Sequence, residues 1–202
     1  MLRTTTLFAT LALAAACGTA SREMAASAAA PMTEEAMMKR MQELGTPGAA
    51  HKLLDPTVGT FNVTVHMWNA PGAPEQVSHG TEVSEWIWDG RFVKSKFEGD
   101  MGGQPFQGGG ITGFDNSSGK YQGFWVDSMG TMMMPIATGT ADASGKVLTF
   151  SRNYVDPMSG TPMTTREVVT IADKDHHTFE WYQPGPDGKE YKMMRIEYVR
   201  AK

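Results

Sequence analysis

The chain has 202 residues, of which 41% are hydrophobic and 20% are charged. That apolar content excludes wholesale disorder, and the length suffices for one well-buried domain. The formal net charge of -4 gives no reason to expect a nucleic-acid partner. The single cysteine excludes an intramolecular disulfide and a multi-cysteine metal cluster.

The first residues are typical of an export signal. Residues 7–16 form an apolar run that is too short to span a bilayer as a helix. Residues 13–17 resemble a bacterial lipobox, which implies that Cys17 is acylated. We therefore predict a signal peptide over 1–16, lipidation of Cys17, and a lipid-anchored bacterial envelope protein that faces the periplasm, in the outer membrane of a Gram-negative cell. An ordinary secretory signal with an incidental cysteine is the alternative.

Between this signal and the domain, the sequence predicts a tether and one helix. Residues 17–30 are rich in Ala and Ser, which is typical of a flexible linker. Thr33 suits a helix N-cap, and Gly45 and Pro47 end the helical pattern. We predict a short amphipathic helix over 31–45 that packs on the domain. Its apolar side carries Met37, Met38, Met41 and Leu44.

From Gly59 onward, strand-like runs alternate with clusters of Gly, Pro, Asn and Asp. No segment there carries the helical stripe that the crossovers of a parallel sheet require. Many strands with short connections are typical of an antiparallel sandwich or barrel. We predict an all-β, antiparallel up-and-down barrel of about ten strands over 46–202, preceded by the short helix. The expected strands are 60–68, 77–88, 91–98, 105–114, 120–127, 131–139, 146–154, 163–172, 177–183 and 190–200.

Several short motifs follow one another in a fixed order along this region. They are His51-Lys-Leu-Leu54, Gly59-Thr-Phe61, Gly90-Arg-Phe92, Gly113-Phe-Asp115, Gly123-Phe-Trp125-x-Asp127-Ser128 and Tyr198-Val-Arg200. In this order they resemble the bacterial family numbered 1579 among the domains of unknown function, over roughly 46–200 of the chain. The resemblance implies a lipocalin-like, calycin-type barrel and implies no activity.

Arginine, aromatic and polar residues are the candidate contacts for a ligand. An inward arginine would bind a carboxylate or phosphate through paired hydrogen bonds, whereas an outward one would pair with glutamates of neighbouring strands. Strand-end hydrogen bonding and capping of the barrel end are the structural alternatives for Asp127 and His51. The candidate ligand-binding residues are Arg152, Arg166, Arg195, Trp125, Asp127 and His51.

The sequence contains no recognisable catalytic or metal-binding pattern. It lacks a Gly-x-Ser-x-Gly motif and His-x-x-x-His spacing, nothing singles out a haem ligand, and Met132 to Met134 favour packing over copper binding. We therefore expect no catalytic residue, metal or cofactor. The predicted function is binding or carriage of a small hydrophobic molecule, expected to have an acidic head. The alternatives are an enzyme that uses Asp115, Asp127 or His51 at the barrel mouth, and a structural or interaction lipoprotein with a solid core.

Overall fold

The computed structural model of the protein describes residues 32–202. The predicted signal peptide, Cys17 and the tether lie outside the described residues. Within 32–202, no helix is long and apolar enough to cross a membrane.

Three short helical segments precede the first strand. Helix α1 spans Glu34–Gly45, helix α2 spans Ala49–Lys52, and a 3₁₀ turn spans Asp55–Thr57. The first turn of α1 carries two glutamates, which favour the positive end of the helix dipole. A short helix before the barrel is therefore present, as the sequence predicts.

The expected packing of the α1 methionine stripe on the domain is wrong. No residue of α1 is buried, and its three methionines are 49–63% exposed. The helix is tied to the barrel at its C-terminal end, where the Asn116 amide donates to the carbonyl oxygens of Leu44 and Thr46 at 3.0 and 2.9 Å. Because this attachment uses backbone carbonyls, it leaves the methionine side chains outside the core.

Ten antiparallel strands form one closed barrel. Each strand pairs with its neighbours in the chain, and β1 pairs with β10 to close the circle. The predicted fold class is confirmed. The strands are β1 (Gly59–Met67), β2 (Gln76–Ile87), β3 (Phe92–Met101), β4 (Gln104–Asp115), β5 (Lys120–Asp127), β6 (Ala137–Ala141), β7 (Val147–Val155), β8 (Pro162–Ile171), β9 (His176–Pro184) and β10 (Glu190–Arg200).

One strand lies elsewhere than the sequence predicts. The expected strand at 131–139 is wrong over most of its length, because β6 begins only at Ala137. Pro135 has no N–H to donate to a sheet. Its carbonyl oxygen instead accepts a hydrogen bond from Arg152, and the Met134 N–H donates to the Trp125 carbonyl oxygen at 2.9 Å. These bonds hold 128–136 as a loop.

One end of the barrel is closed by residues 49–57, and we call it the sealed end. Leu54 is buried in an apolar cluster that includes Tyr121. The Tyr121 hydroxyl donates to the Ala50 carbonyl oxygen at 2.8 Å, and the Trp86 indole N–H donates to Asp55 at 3.0 Å. The opposite end, where the β1–β2, β3–β4, β5–β6, β7–β8 and β9–β10 connections lie, is the loop end.

Candidate functional site: the barrel interior

Aromatic rings lie against the inner wall of the barrel because glycines make room for them. A Cβ atom at Gly108 would lie 2.3 Å from Cζ2 of Trp125, and one at Gly110 would lie 3.3 Å from its Cε3. The Phe97 ring covers Gly80 in the same way, since a Cβ there would lie 2.4 Å from Cζ. Rings that lie along the wall leave more of the barrel axis open than rings that project from it.

Some side chains of the inner face remain partly exposed in the middle of their strands. Phe179 pairs with Val169 on β8 and Ile196 on β10, so all three share the inner face with the buried Ile171 and His177. Each of the three is only half-buried. On β3 and β4, the inward Ser95 and Thr112 are also half-buried. The inner face is thus less completely packed at mid-barrel than a filled core would be.

Arg152 and Glu167 form an ion pair inside the barrel. Their side chains are only 6% and 5% exposed. The Arg152 Nε donates to Oε1 of Glu167 at 2.7 Å, Nη2 donates to Oε2 at 3.1 Å, and Nη1 donates to the Pro135 carbonyl oxygen. Paired hydrogen bonds of this kind offset part of the desolvation of both charges. The pair therefore brings no net charge into the interior.

Beside this ion pair lie two buried polar atoms that have no hydrogen-bond partner in the described chain, Thr165 Oγ1 and Trp181 Nε1. Thr165 is opposite Arg152 in the sheet register and Trp181 is opposite Glu167. We call these four residues the polar patch. Buried polar atoms are normally satisfied, so these two atoms without a partner distinguish this part of the inner wall.

Glu82 is a second buried charge-bearing group, on β2. It is 7% exposed and lies between Phe61 and Phe97 in the sheet register. Its carboxylate accepts a hydrogen bond from the Ser84 hydroxyl at 2.9 Å, and the Ser84 and Ser95 hydroxyl oxygens are 2.9 Å apart. Burial raises the pKa of Glu82 to about 7, against the lowering effect of the Ser84 hydrogen bond.

His177 and Tyr198 complete this part of the inner wall. Their rings stack at 4.2 Å, and Phe61 contacts His177 edge-on at 4.7 Å. Burial, with a smaller contribution from the Arg200 charge, lowers the pKa of His177 to about 4. Burial and the nearby Glu82 raise the pKa of Tyr198 well above its usual value. Both side chains are therefore neutral at pH 7.

The three candidate arginines divide between the two faces of the sheet. Arg152 points inward, into the polar patch. Arg166 is on the outside, where it pairs with Glu190 and its guanidinium lies 3.9 Å from the centre of the Tyr182 ring. Arg195 is also outside, because Met194 and Ile196 on either side of it face inward. It donates to Glu180 and Glu197 at 3.0 Å.

Trp125 and Asp127 lie toward the loop end, on the inner side of β5. The indole N–H of Trp125 donates to Asp127 Oδ2 at 3.2 Å, and Asp127 Oδ1 accepts from the Met129 N–H at 2.9 Å. Asp127 thus ends the strand by binding the loop that follows it. The Trp125 ring remains a wall of the interior.

His51 and Asp115 lie at the sealed end, and both have structural contacts. His51 is buried, accepts the Gly48 N–H at 3.0 Å, and contacts the Phe114 ring at 5.6 Å; burial lowers its pKa. Hydrogen bonds from the hydroxyls of Ser118 and Ser117 hold the pKa of Asp115 at about 2. These two residues line a cavity of about 330 Å³, whereas Asp127 is at the far end of β5, roughly 24 Å away at 3.4 Å per residue. The proposed acid–base groups therefore do not meet at one barrel mouth.

Sequence reasoning missed the inward acids and their neighbours. Glu167 alternates along β8 with inward residues, sharing its face with Thr165, Val169 and Ile171. A single carboxylate among uncharged residues at every second position is a sequence signal for a buried acid. Glu82 shares its row with Ser78 and Ser84, which made the row resemble a solvent face.

The shifted pKa values of Glu82 and His177 make the stability of the protein depend on pH in opposite ways. The folded pKa of Glu82, about 7, is above its ordinary 4.5, so the unfolded chain loses this proton first as pH rises. Wild-type stability attributable to Glu82 is therefore lost between pH 4.5 and 7. We expect E82Q to gain up to about 3 kcal/mol relative to wild type across that interval, measured by urea unfolding.

The matched variant H177F should show the reverse trend. The folded pKa of His177, about 4, is below its ordinary 6.5, so the wild type loses stability as pH falls from 6.5 to 4. H177F should gain by a similar amount toward low pH, relative to wild type. Stability differences of both variants that do not vary with pH would contradict this assignment of buried groups.

The chain was compared with solved structures, and one similarity above a TM-score of 0.5 agrees with this architecture. Among solved structures, the chain is similar to Rv2717c from M. tuberculosis, at 14% identity and a TM-score of 0.57, over 78% of this chain and 100% of that chain. It also matches the redesigned β-barrel b11L5F_LGL (17% identity, TM-score 0.37, 76% and 96% covered) and EF1p2_mFAP2b bound to DFHBI (14% identity, TM-score 0.37, 76% and 100% covered). The likeness to Rv2717c shows the fold alone.

No curated protein matches the chain significantly. The profile of the family described as "Protein of unknown function (DUF1579)" matches residues 46–200, which span the whole barrel. This match confirms the resemblance seen in the ordered motifs. The chain belongs to the DUF1579 family.

Proposed function

We propose that the protein binds a small, largely apolar molecule inside the barrel. The observation that carries this proposal is the half-buried inner wall at mid-barrel beside two buried polar atoms that lack partners. A filled protein interior leaves neither apolar contacts nor hydrogen bonds unused. A guest would supply both.

The composition of the wall supports this proposal. Binding sites for small molecules are mostly apolar and contain a few placed polar groups. Here Phe179, Ile196 and Trp125 provide apolar surface, and the polar patch provides hydrogen-bonding groups. The ion pair within the patch also fixes the Pro135 carbonyl oxygen, so the patch connects the interior to the 128–136 loop.

We place the entrance at the loop end, because the opposite end is sealed by Leu54 and its neighbours. Exposed apolar side chains cluster on two connections there. Met129, Met133 and Ile136 of the β5–β6 loop are 58–69% exposed, and Met158 of the neighbouring β7–β8 turn is 92% exposed. Flexible thioether side chains suit a surface that admits apolar molecules.

Filling the interior should weaken binding. We expect Ile196→Trp to weaken the affinity for N-phenyl-1-naphthylamine, a neutral apolar dye, by at least about tenfold, because the indole would occupy the space of the guest. Dye fluorescence in a titration reports the binding. Thr112→Leu is a smaller addition to the same interior and should also weaken binding.

The control is Val83→Trp, which places the same side chain on the outside of β2, where Val83 is 48% exposed. This variant should bind the dye within about twofold of wild type. Equal loss of binding in the outer and inner variants, or dye binding unaffected by both inner variants, would refute an interior site.

We also propose that the protein is a bacterial envelope lipoprotein anchored through Cys17. The support is the apolar run at 7–16 and the lipobox-like residues that end at the only cysteine. Several acyl chains on one residue would hold the protein firmly at a membrane, since each buried methylene contributes about 0.8 kcal/mol.

Metabolic labelling with a fatty acid tests the anchor. The wild type should incorporate the label, and Cys17→Ala should not, because the mutant has no thiol to acylate. Equal labelling of the two proteins would refute acylation at Cys17.

A further inference from the structure

We infer that the molecule bound in the barrel carries a protonated amine, and that the Glu82 carboxylate holds it. This inference rests on the proposed function and names the class of its ligand. A protonated amine has the opposite charge to the acidic head group that the arginines in the sequence predict.

The first argument is that the arginines of the inner wall are already occupied. The Arg152 guanidinium is bonded to Glu167 and to the Pro135 carbonyl oxygen. Arg200 donates to the Val58 carbonyl oxygen at 2.8 Å and to Asp175 at 3.0 Å, at the sealed end. The charge of each guanidinium is thus already compensated by a carboxylate, so an acidic guest would have to compete with Glu167 or Asp175.

The second argument is that Glu82 is a buried carboxylate without a cation. Within residues 32–202, no Lys, Arg or His nitrogen lies within 4 Å of its oxygens, and its recorded hydrogen bond comes from Ser84. By contrast, Glu167, which is equally buried, has Arg152. A buried charge is costly until an opposite charge or several hydrogen bonds compensate it.

The surroundings of Glu82 also suit a cation. Phe61 on β1 and Phe97 on β3 flank it in the sheet register. Tyr198 on β10 lies close enough for its ionisation to be opposed by the Glu82 charge, and His177 on β9 stacks on Tyr198. Aromatic faces attract ammonium groups.

Charge complementarity then discriminates between guests of equal length. An ammonium inside the barrel would offset the burial cost of Glu82, whereas a carboxylate would add a second like charge in a medium of low dielectric constant. A neutral alcohol would do neither. The preferred order is therefore amine, then alcohol, then carboxylate.

The experiment compares decylamine, decan-1-ol and decanoate, each below its micelle concentration, in competition with N-phenyl-1-naphthylamine at pH 8. In the wild type, decylamine should bind at least about tenfold more tightly than decanoate. In E82Q, which keeps the shape of the side chain, this ratio should fall to within about threefold. E98Q is the matched control, because Glu98 is exposed on the outside of β3, and its ratio should equal that of the wild type.

The outcomes separate the two proposals. If the dye binds and decanoate competes as well as decylamine or better, the amine inference is overturned while interior binding stands. If neither the dye nor any of the three compounds binds, the proposed function itself is overturned. Should E82Q fail to fold, the wild-type ranking of amine against carboxylate still decides the inference.

Discussion

The cost of placing charge inside a closed sheet determines how this interior is arranged. A barrel has no free edge, and its inward side chains must satisfy their polar atoms among themselves or with a molecule that enters. Arg152 and Glu167 satisfy each other, His177 remains uncharged, and Arg200 is bonded to carbonyl oxygens and a carboxylate at the sealed end. Glu82 is the exception, and the specificity that we propose follows from it.

The glycines of the sheet determine how its large aromatic side chains lie. Gly108 and Gly110 accept the Trp125 ring, and Gly80 accepts Phe97, so these large side chains lie against the wall. Side chains at these glycine positions would displace both rings toward the centre. The same glycines that weaken strands locally would thus leave room for the guest that we propose.

Much of the architecture could be predicted from alternation and turn residues, because both are local properties of the chain. The ends of β5 and β10 agree with the sequence prediction to the residue. The β6 start was missed because the carbonyl oxygen of Pro135 is bound by Arg152, a long-range contact that no local pattern encodes. The exposure of the α1 methionines could not be predicted either, because amphipathic spacing does not reveal whether the barrel packs against that side of the helix.

The candidate site was less predictable, because an arginine or glutamate in a strand has the same spacing whether it faces in or out. Arg152 and Arg166 are both in candidate strands, and only the pairing register places one inside and the other outside. Glu82 and Thr165 went unnoticed for the same reason. Their importance comes from missing partners, which is a property of the folded wall and not of the sequence pattern.

The most direct test of this account is the electron density inside the barrel in a crystal structure of the purified protein. The account predicts a bound molecule or ordered water within hydrogen-bonding distance of Trp181 Nε1 and Thr165 Oγ1, in contact with Phe179. Density that shows protein side chains closed over these atoms, with no space between the walls, would contradict it.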